Sequence, residues 1–182
     1  MLAPKELFAI HPLGKSPVIS DNGVVIAESG AITEYLIKKY GKEIFKNAKA
    51  DDELKCSYWS HYAEGSLMPP LLLHLIFGRL SKEPMPLVLR PFGALIGGGV
   101  LKAYIIPQLK RHLSFIENEL GDSSFFLGEV LSGADIQMSF PLEAANNRMG
   151  FEKYPKLKKY LERIHARPAY QRALEKGGAF TI

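Results

Sequence analysis

The spacing of apolar positions along this chain changes near residue 50. Before it, Pro17-Val18-Ile19 and Val24-Val25-Ile26 are two apolar, largely β-branched runs separated by Ser20-Asp21-Asn22-Gly23. Asn-Gly between such runs predicts a β-hairpin, because both residues tolerate positive φ. The second run ends at Ala27-Glu28-Ser29-Gly30, and Ile32, Tyr35, Leu36 and Tyr40 then recur at helical spacing. Ser29 is the expected N-cap of that helix and Gly41 its expected left-handed stop.

After residue 50 every periodic segment reads as helix. Leu54, Tyr58, Tyr62 and Ala63 define one that reaches Pro69-Pro70 and resumes, kinked, towards Arg79. Ile105, Leu109, Leu113, Ile116 and Leu120 define another, closed by Gly121. The segment 131–147 is apolar on almost every side, the signature of a buried central helix. Tyr154 to His165 is amphipathic, and a short last helix runs from Arg167 to Lys176. Strand, turn, strand and helix followed by helices alone make an α+β chain.

Composition narrows the class. A chain of 182 residues, 47% hydrophobic and 23% charged, can bury a core and forms one domain or two small ones. The lone Cys56 excludes an internal disulfide and a Cys-x-x-Cys redox pair, and fits a reducing compartment. The net charge of +4 is concentrated late, in Lys153, Lys156, Lys158, Lys159, Arg163, Arg167 and Arg172, with Glu152, Glu162 and Glu175 interleaved. That mixture reads as a solvated helix face, and no nucleic-acid partner is expected. The first ten residues hold Pro4, Lys5 and Glu6, so no secretory signal is expected. The apolar stretch from Met85 to Leu101 is interrupted by Pro86, Arg90, Pro91 and Gly97 to Gly99. A membrane span needs about 20 apolar residues, so a soluble chain is expected, with peripheral membrane contact left open.

Two short motifs carry candidate chemistry. In Ile10-His11-Pro12-Leu13-Gly14-Lys15-Ser16-Pro17 a proline opens a strand. It either marks a simple turn before an edge strand or sets a cis bond that turns the Ser16 backbone towards a peptide ligand. Glu28-Ser29 sits where strand gives way to helix. There, helix-end N–H groups suit a carboxylate and a neighbouring Glu suits an ammonium. An ordinary helix cap is the competing reading. A third motif, Ser132-Gly133-Ala134-Asp135, reads as a capping box with a folding role alone.

Taken in this order, the motifs resemble the second half of the thioredoxin-like domain of glutathione transferases, and the helical remainder resembles that family's C-terminal domain. Ile-His-Pro-Leu-Gly-Lys-Ser-Pro, Ala-Glu-Ser-Gly, Tyr-Ala-Glu-Gly-Ser-Leu-Met-Pro-Pro (62–70) and Leu-Ser-Gly-Ala-Asp-Ile-Gln-Met-Ser-Phe-Pro-Leu (131–142) look like the fungal (yeast) microsomal-type group. The resemblance implies a partial glutathione-binding unit at 1–45 and an all-helical unit at 50–182. It makes Pro17 the cis-proline and Ser16 the backbone partner of the cysteinyl unit. Glu28 and Ser29 would hold the γ-glutamyl group, and Lys15 or His11 would approach the glycyl carboxylate. Position 30 is Gly where several classes carry Arg or Gln. Tyr58, His61, Tyr62 and Cys56 fall near the family's acceptor cleft, though packing or surface roles suit each of them too.

In that family the hairpin follows a βαβ unit of roughly 30 or more residues, whereas about sixteen residues precede Pro17 here. The expectation is therefore that the first strand, the first helix and the Tyr, Ser or Cys stabilising the thiolate lie outside this sequence. Either Met1 is an internal or artificial start, or the short form is real. No catalytic residue, metal or cofactor is assigned, glutathione being the substrate. The implied activity is conjugation of glutathione to an apolar electrophile by a cytoplasmic homodimer, with contact to the endoplasmic reticulum surface open, and impaired in this chain. The alternatives are a non-catalytic protein-interaction module and a glutathione-dependent oxidoreductase.

Overall fold

The computed structural model describes residues 4–41 and 50–178. It begins with α1 (Lys5–Ile10), none of whose residues is buried. Strands β1 (Val18–Asp21) and β2 (Val24–Ala27) form an antiparallel hairpin pairing Val18 with Ala27 and Asp21 with Val24. Asn22 and Gly23, at φ +50° and +83°, make its two-residue turn as their sequence predicts.

Helix α2 (Ser29–Tyr40) departs from expectation at both ends. Its N-cap is Glu28, held at φ +73°, and Ser29 is its first helical residue. The strand turns into the helix one residue earlier than a serine cap would allow, so the left-handed strain falls on Glu28. At the other end Gly41 lies at φ −95° and donates its N–H to the Ile37 carbonyl. An ordinary i→i−4 bond closes the helix there, without a left-handed residue. The hairpin is tied to α2 through Asp21, whose Oδ2 accepts from Tyr35 Oη (2.8 Å), Lys39 Nζ (2.7 Å) and Tyr40 Oη (2.7 Å).

The helical part begins with α3 (Ala50–Tyr62), which continues through a π-turn (Ala63–Leu67) into α4 (Met68–Arg79). A proline has no N–H to give the turn before it, and the wider π register absorbs Pro69-Pro70 at the start of α4. The same device recurs between α5 (Arg90–Val100) and α6 (Ile106–Leu120), where the π-turn Leu101–Ile105 precedes Pro107.

Helix α5 corrects the reading of the 85–101 segment. Pro91 occupies its first turn, where a missing N–H costs nothing, and the glycines do not interrupt it. Gly93 and Gly97 instead let α5 cross the end of α4 at backbone distance. A Cβ at Gly93 would collide with the Leu80 carbonyl, and one at Gly97 would lie 2.5 Å from the Phe77 oxygen. By length and composition alone, the helical stretch from Leu87 to Leu120 is long and apolar enough to cross a membrane.

At the centre lies α7 (Gly133–Met149), with Ala134, Met138, Leu142 and Ala145 buried against Trp59, Leu67, Leu109, Leu113 and Tyr160. The expected capping box is present. Ser132 N–H (2.8 Å) and Oγ (2.6 Å) donate to Asp135 Oδ2, and Phe126 N–H donates to Oδ1 (2.9 Å). Burial pushes the Asp135 carboxyl above its usual range, and these donors pull it back. Helices α8 (Pro155–His165) and α9 (Pro168–Gly177) complete the unit. Glu117 of α6 accepts the N–H groups of Lys156 and Leu157 at the start of α8.

Candidate functional site

The hairpin, the start of α2 and the outer face of α7 enclose a cavity of about 650 Å³. Lys15, Ser16, Pro17, Glu28 and Ser29 all line it, together with His11. The Ser16–Pro17 peptide bond is cis. Among the described residues β1 and β2 form a two-stranded sheet, and Ser16-Pro17 leads directly into β1.

At the head of α2 the Glu28 carbonyl accepts from Ile32 N–H (2.9 Å), so helix geometry leaves the N–H groups of Ser29, Gly30 and Ala31 without intrahelical partners. These donors and the positive end of the helix dipole favour an anion beside Ser29, where α2 meets the cavity. Glu28 is a non-glycine residue at positive φ, a conformation that costs energy and persists where surrounding structure holds it. The Glu28 carboxylate and the α2 N-terminus thus present opposite charges side by side, the pattern an amino-acid head group requires. His11 Nδ1 accepts from Leu13 N–H at 3.4 Å, a local bond, while Lys15 is exposed at the rim.

Four residues lining the opposite wall were not singled out in the sequence: Glu64 in the first π-turn and Ile136, Gln137 and Phe140 on α7. Gln137 carried a weak signal, as a long amide between Ile136 and Met138 in a helix that buries most of its first half. It is 6% exposed, and its Nε2 donates to Ser29 Oγ at 3.3 Å. Glu64 also lines a smaller cavity of about 460 Å³ at the mouth, with Glu28, Ser29 and His61.

The aromatic candidates divide. Tyr58 and Tyr62 pack with Trp59, while Tyr62 also meets Phe115 and bonds to His112; neither lines the main cavity. Burial raises the Tyr62 phenol and lowers the His112 imidazole, so both stay neutral near pH 7. Cys56 lines a separate cavity of about 400 Å³ between α2 and α3, with Ile37 and Gly133.

Comparison with known proteins adds to this geometry. The C-terminal domain model of glutathione S-transferases matches residues 101–168, and the N-terminal domain model matches residues 2–38. The chain is 33% identical to "Glutathione S-transferase 1" of Saccharomyces cerevisiae, across 97% of this chain and 80% of that protein. It is 36% identical to "Glutathione S-transferase 3" of Schizosaccharomyces pombe, across 96% and 72%. Among solved structures, a glutathione transferase homologue from Sulfitobacter with bound glutathione superposes at TM-score 0.75. It is 16% identical, across 97% of this chain and 80% of that one.

Proposed function

We propose that this chain, which belongs to the glutathione S-transferase family, binds glutathione in the 650 Å³ cavity as a member of the fungal microsomal-type group. The observation that carries this reading is the juxtaposition of the Glu28 carboxylate, the N-terminus of α2 and the Ser16-Pro17 segment leading into β1 in one cavity. The γ-glutamyl carboxylate meets the Ser29 end of α2, and its ammonium meets Glu28, with Glu64 on the facing wall as a second carboxylate. The Ser16 backbone pairs with the cysteinyl unit, and Lys15 or His11 faces the glycyl carboxylate. Residues 1–45 act as the recognition unit and 50–182 as the helical unit that closes over it.

In this reading an apolar electrophile enters beside Ile136 and Phe140 and takes the glutathione thiolate. Cys56 lines a separate cavity and takes no part in this reading.

Calorimetric titration with glutathione tests the reading, beside Glu28→Gln, which keeps the side chain's size and removes its charge. Hydrogen bonds to charged groups contribute roughly 1.5–3 kcal/mol, so the variant should bind at least about tenfold more weakly. Equal affinity would make Glu28 a purely structural residue.

The reading also makes a second copy of this chain its partner in the cytoplasm. Phe92, Leu95 and Ile96 on α5 and Leu72 and Ile76 on α4 are exposed apolar side chains on two helices in contact. Contact with the endoplasmic reticulum surface would draw on the same face. Sedimentation with and without vesicles separates the two, and a monomer that ignores vesicles contradicts both.

A further inference from the structure

Gln137 is a buried amide that the recognition scheme above leaves without a role. It reaches from the helical unit to the first residue of α2, and it lines all three cavities around that point. Its donor lies 3.3 Å from Ser29 Oγ. The next residue is Gly30, where a Cβ would stand 3.1 Å from the same Nε2. A side chain at position 30 would therefore crowd the Gln137 amide and make it give way by a few tenths of an ångström.

The chemistry of a hydroxyl gives this arrangement a consequence. Serine has one proton and two lone pairs. When the Gln137 amide donates to the oxygen, the serine proton must point elsewhere, and an oxygen that accepts becomes a better donor. Without that amide, a serine in the first turn of a helix is free to rotate and bond to its own backbone. We propose that Gln137 is a positioning residue that fixes the Ser29 hydroxyl as a donor aimed at the γ-glutamyl carboxylate of glutathione, with Gly30 as the vacancy that admits it. The inference rests on the glutathione reading. It couples ligand recognition in the hairpin unit to a side chain of the helical unit.

The test is a double-mutant cycle on the full chain, read by calorimetry with glutathione. Gln137→Met keeps length and apolar volume but removes the donor. It should weaken binding about three- to tenfold, the span of one ordinary hydrogen bond. Gln137→Glu should weaken it further, because the new carboxylate takes the Ser29 proton and repels the ligand's own carboxylate. In a Ser29→Ala background, Gln137→Met should change affinity less than about twofold, since its effect acts through the hydroxyl. Gly30→Ala approaches the same amide from α2 without touching the core of α7, and should reproduce the loss even where a Gln137 variant folds poorly. Wild-type affinity in both Gln137→Met and Gly30→Ala, or an undiminished loss in the Ser29→Ala background, would overturn the proposal. If the wild-type chain does not bind glutathione, the functional reading falls and this inference with it. If it binds and the cycle shows no coupling, the inference falls alone.

Discussion

The two walls of the ligand cavity are held in shape by different forces. The helical wall rests on burial: Leu67, Leu109, Leu113, Ala134, Met138 and Leu142 are each fully shielded, and Asp135 sits among them with its oxygens satisfied. In the hairpin unit Ile32 is the buried large apolar residue among those described, and Val24, Val25, Leu36 and Tyr40 face solvent. What fastens that unit is the Asp21 tie and the packing of α2 on α7. Burial is non-directional and indifferent to pH, whereas hydrogen bonds at a surface exchange with water and titrate. The helical wall should therefore keep its shape under conditions that release the recognition wall, a gradient of local stability across one cavity.

The contrast breaks most severely at Asp135. Asp135→Ala removes the acceptor of Phe126 N–H and Ser132 N–H in a place water does not reach. A buried donor left unsatisfied costs about 1–3 kcal/mol, so the loss should be about 3 kcal/mol or more in urea unfolding. An ordinary exposed cap is worth only about 0.5–2 kcal/mol. A midpoint that does not move would show that the helical wall does not depend on its capping box.

The next largest effect separates glycines within α5. Gly93→Val drives a branched side chain into the Leu80 backbone. Overpacking of this kind typically costs about 1–3 kcal/mol. Nothing lies near a Cβ at Gly99, and alanine is the better helix former by about 1 kcal/mol. Gly99→Ala should therefore raise the melting temperature while Gly93→Val lowers it. Changes of the same sign would mean that α5 does not cross α4 at backbone distance.

These positions also mark how far the sequence could be read. The Asn22-Gly23 turn, the central α7 and the capping box depend on chemistry within a few residues, and local patterns predict them. Ser29 looked like a cap because nothing local reveals that Glu28 adopts positive φ. The helix across residues 90–100 was hidden because its glycines weaken helical periodicity, and their use is a contact with residues 77–80 that spacing does not encode. The five site residues share one cavity because antiparallel pairing of Val18 with Ala27 brings the two flanking motifs together at the open end of the hairpin. Glu64 and Gln137 reach that cavity only through the docking of α2 on α7, a long-range event.

The smallest expected effect is confined to the recognition wall and is set by pH. Hydrogen bonds from Lys39, Tyr40 and Tyr35 lower the Asp21 carboxyl from about 3.8 to about 2, and the same tie raises Lys39 and Tyr40 above their usual values. A carboxylate with a depressed folded pKa contributes stability that is present above its unfolded value. That contribution is lost as pH falls through the folded one, so the window lies between about pH 4 and pH 2. A lysine or tyrosine raised in the fold contributes stability at pH below its unfolded value and loses it on the alkaline side, above about pH 10. The tie should thus hold across neutral pH and open at both extremes. Amide exchange at Val18 to Ala27 should accelerate below pH 4, relative to the intrinsic rate, while amides of α7 stay protected. Asp21→Asn should show the faster exchange already at pH 7 and lose the acid step, because an amide cannot supply the charge that holds Lys39. A hairpin whose protection tracks that of α7 through the whole range would mean that both walls are held by burial, and the contrast drawn between them would be wrong.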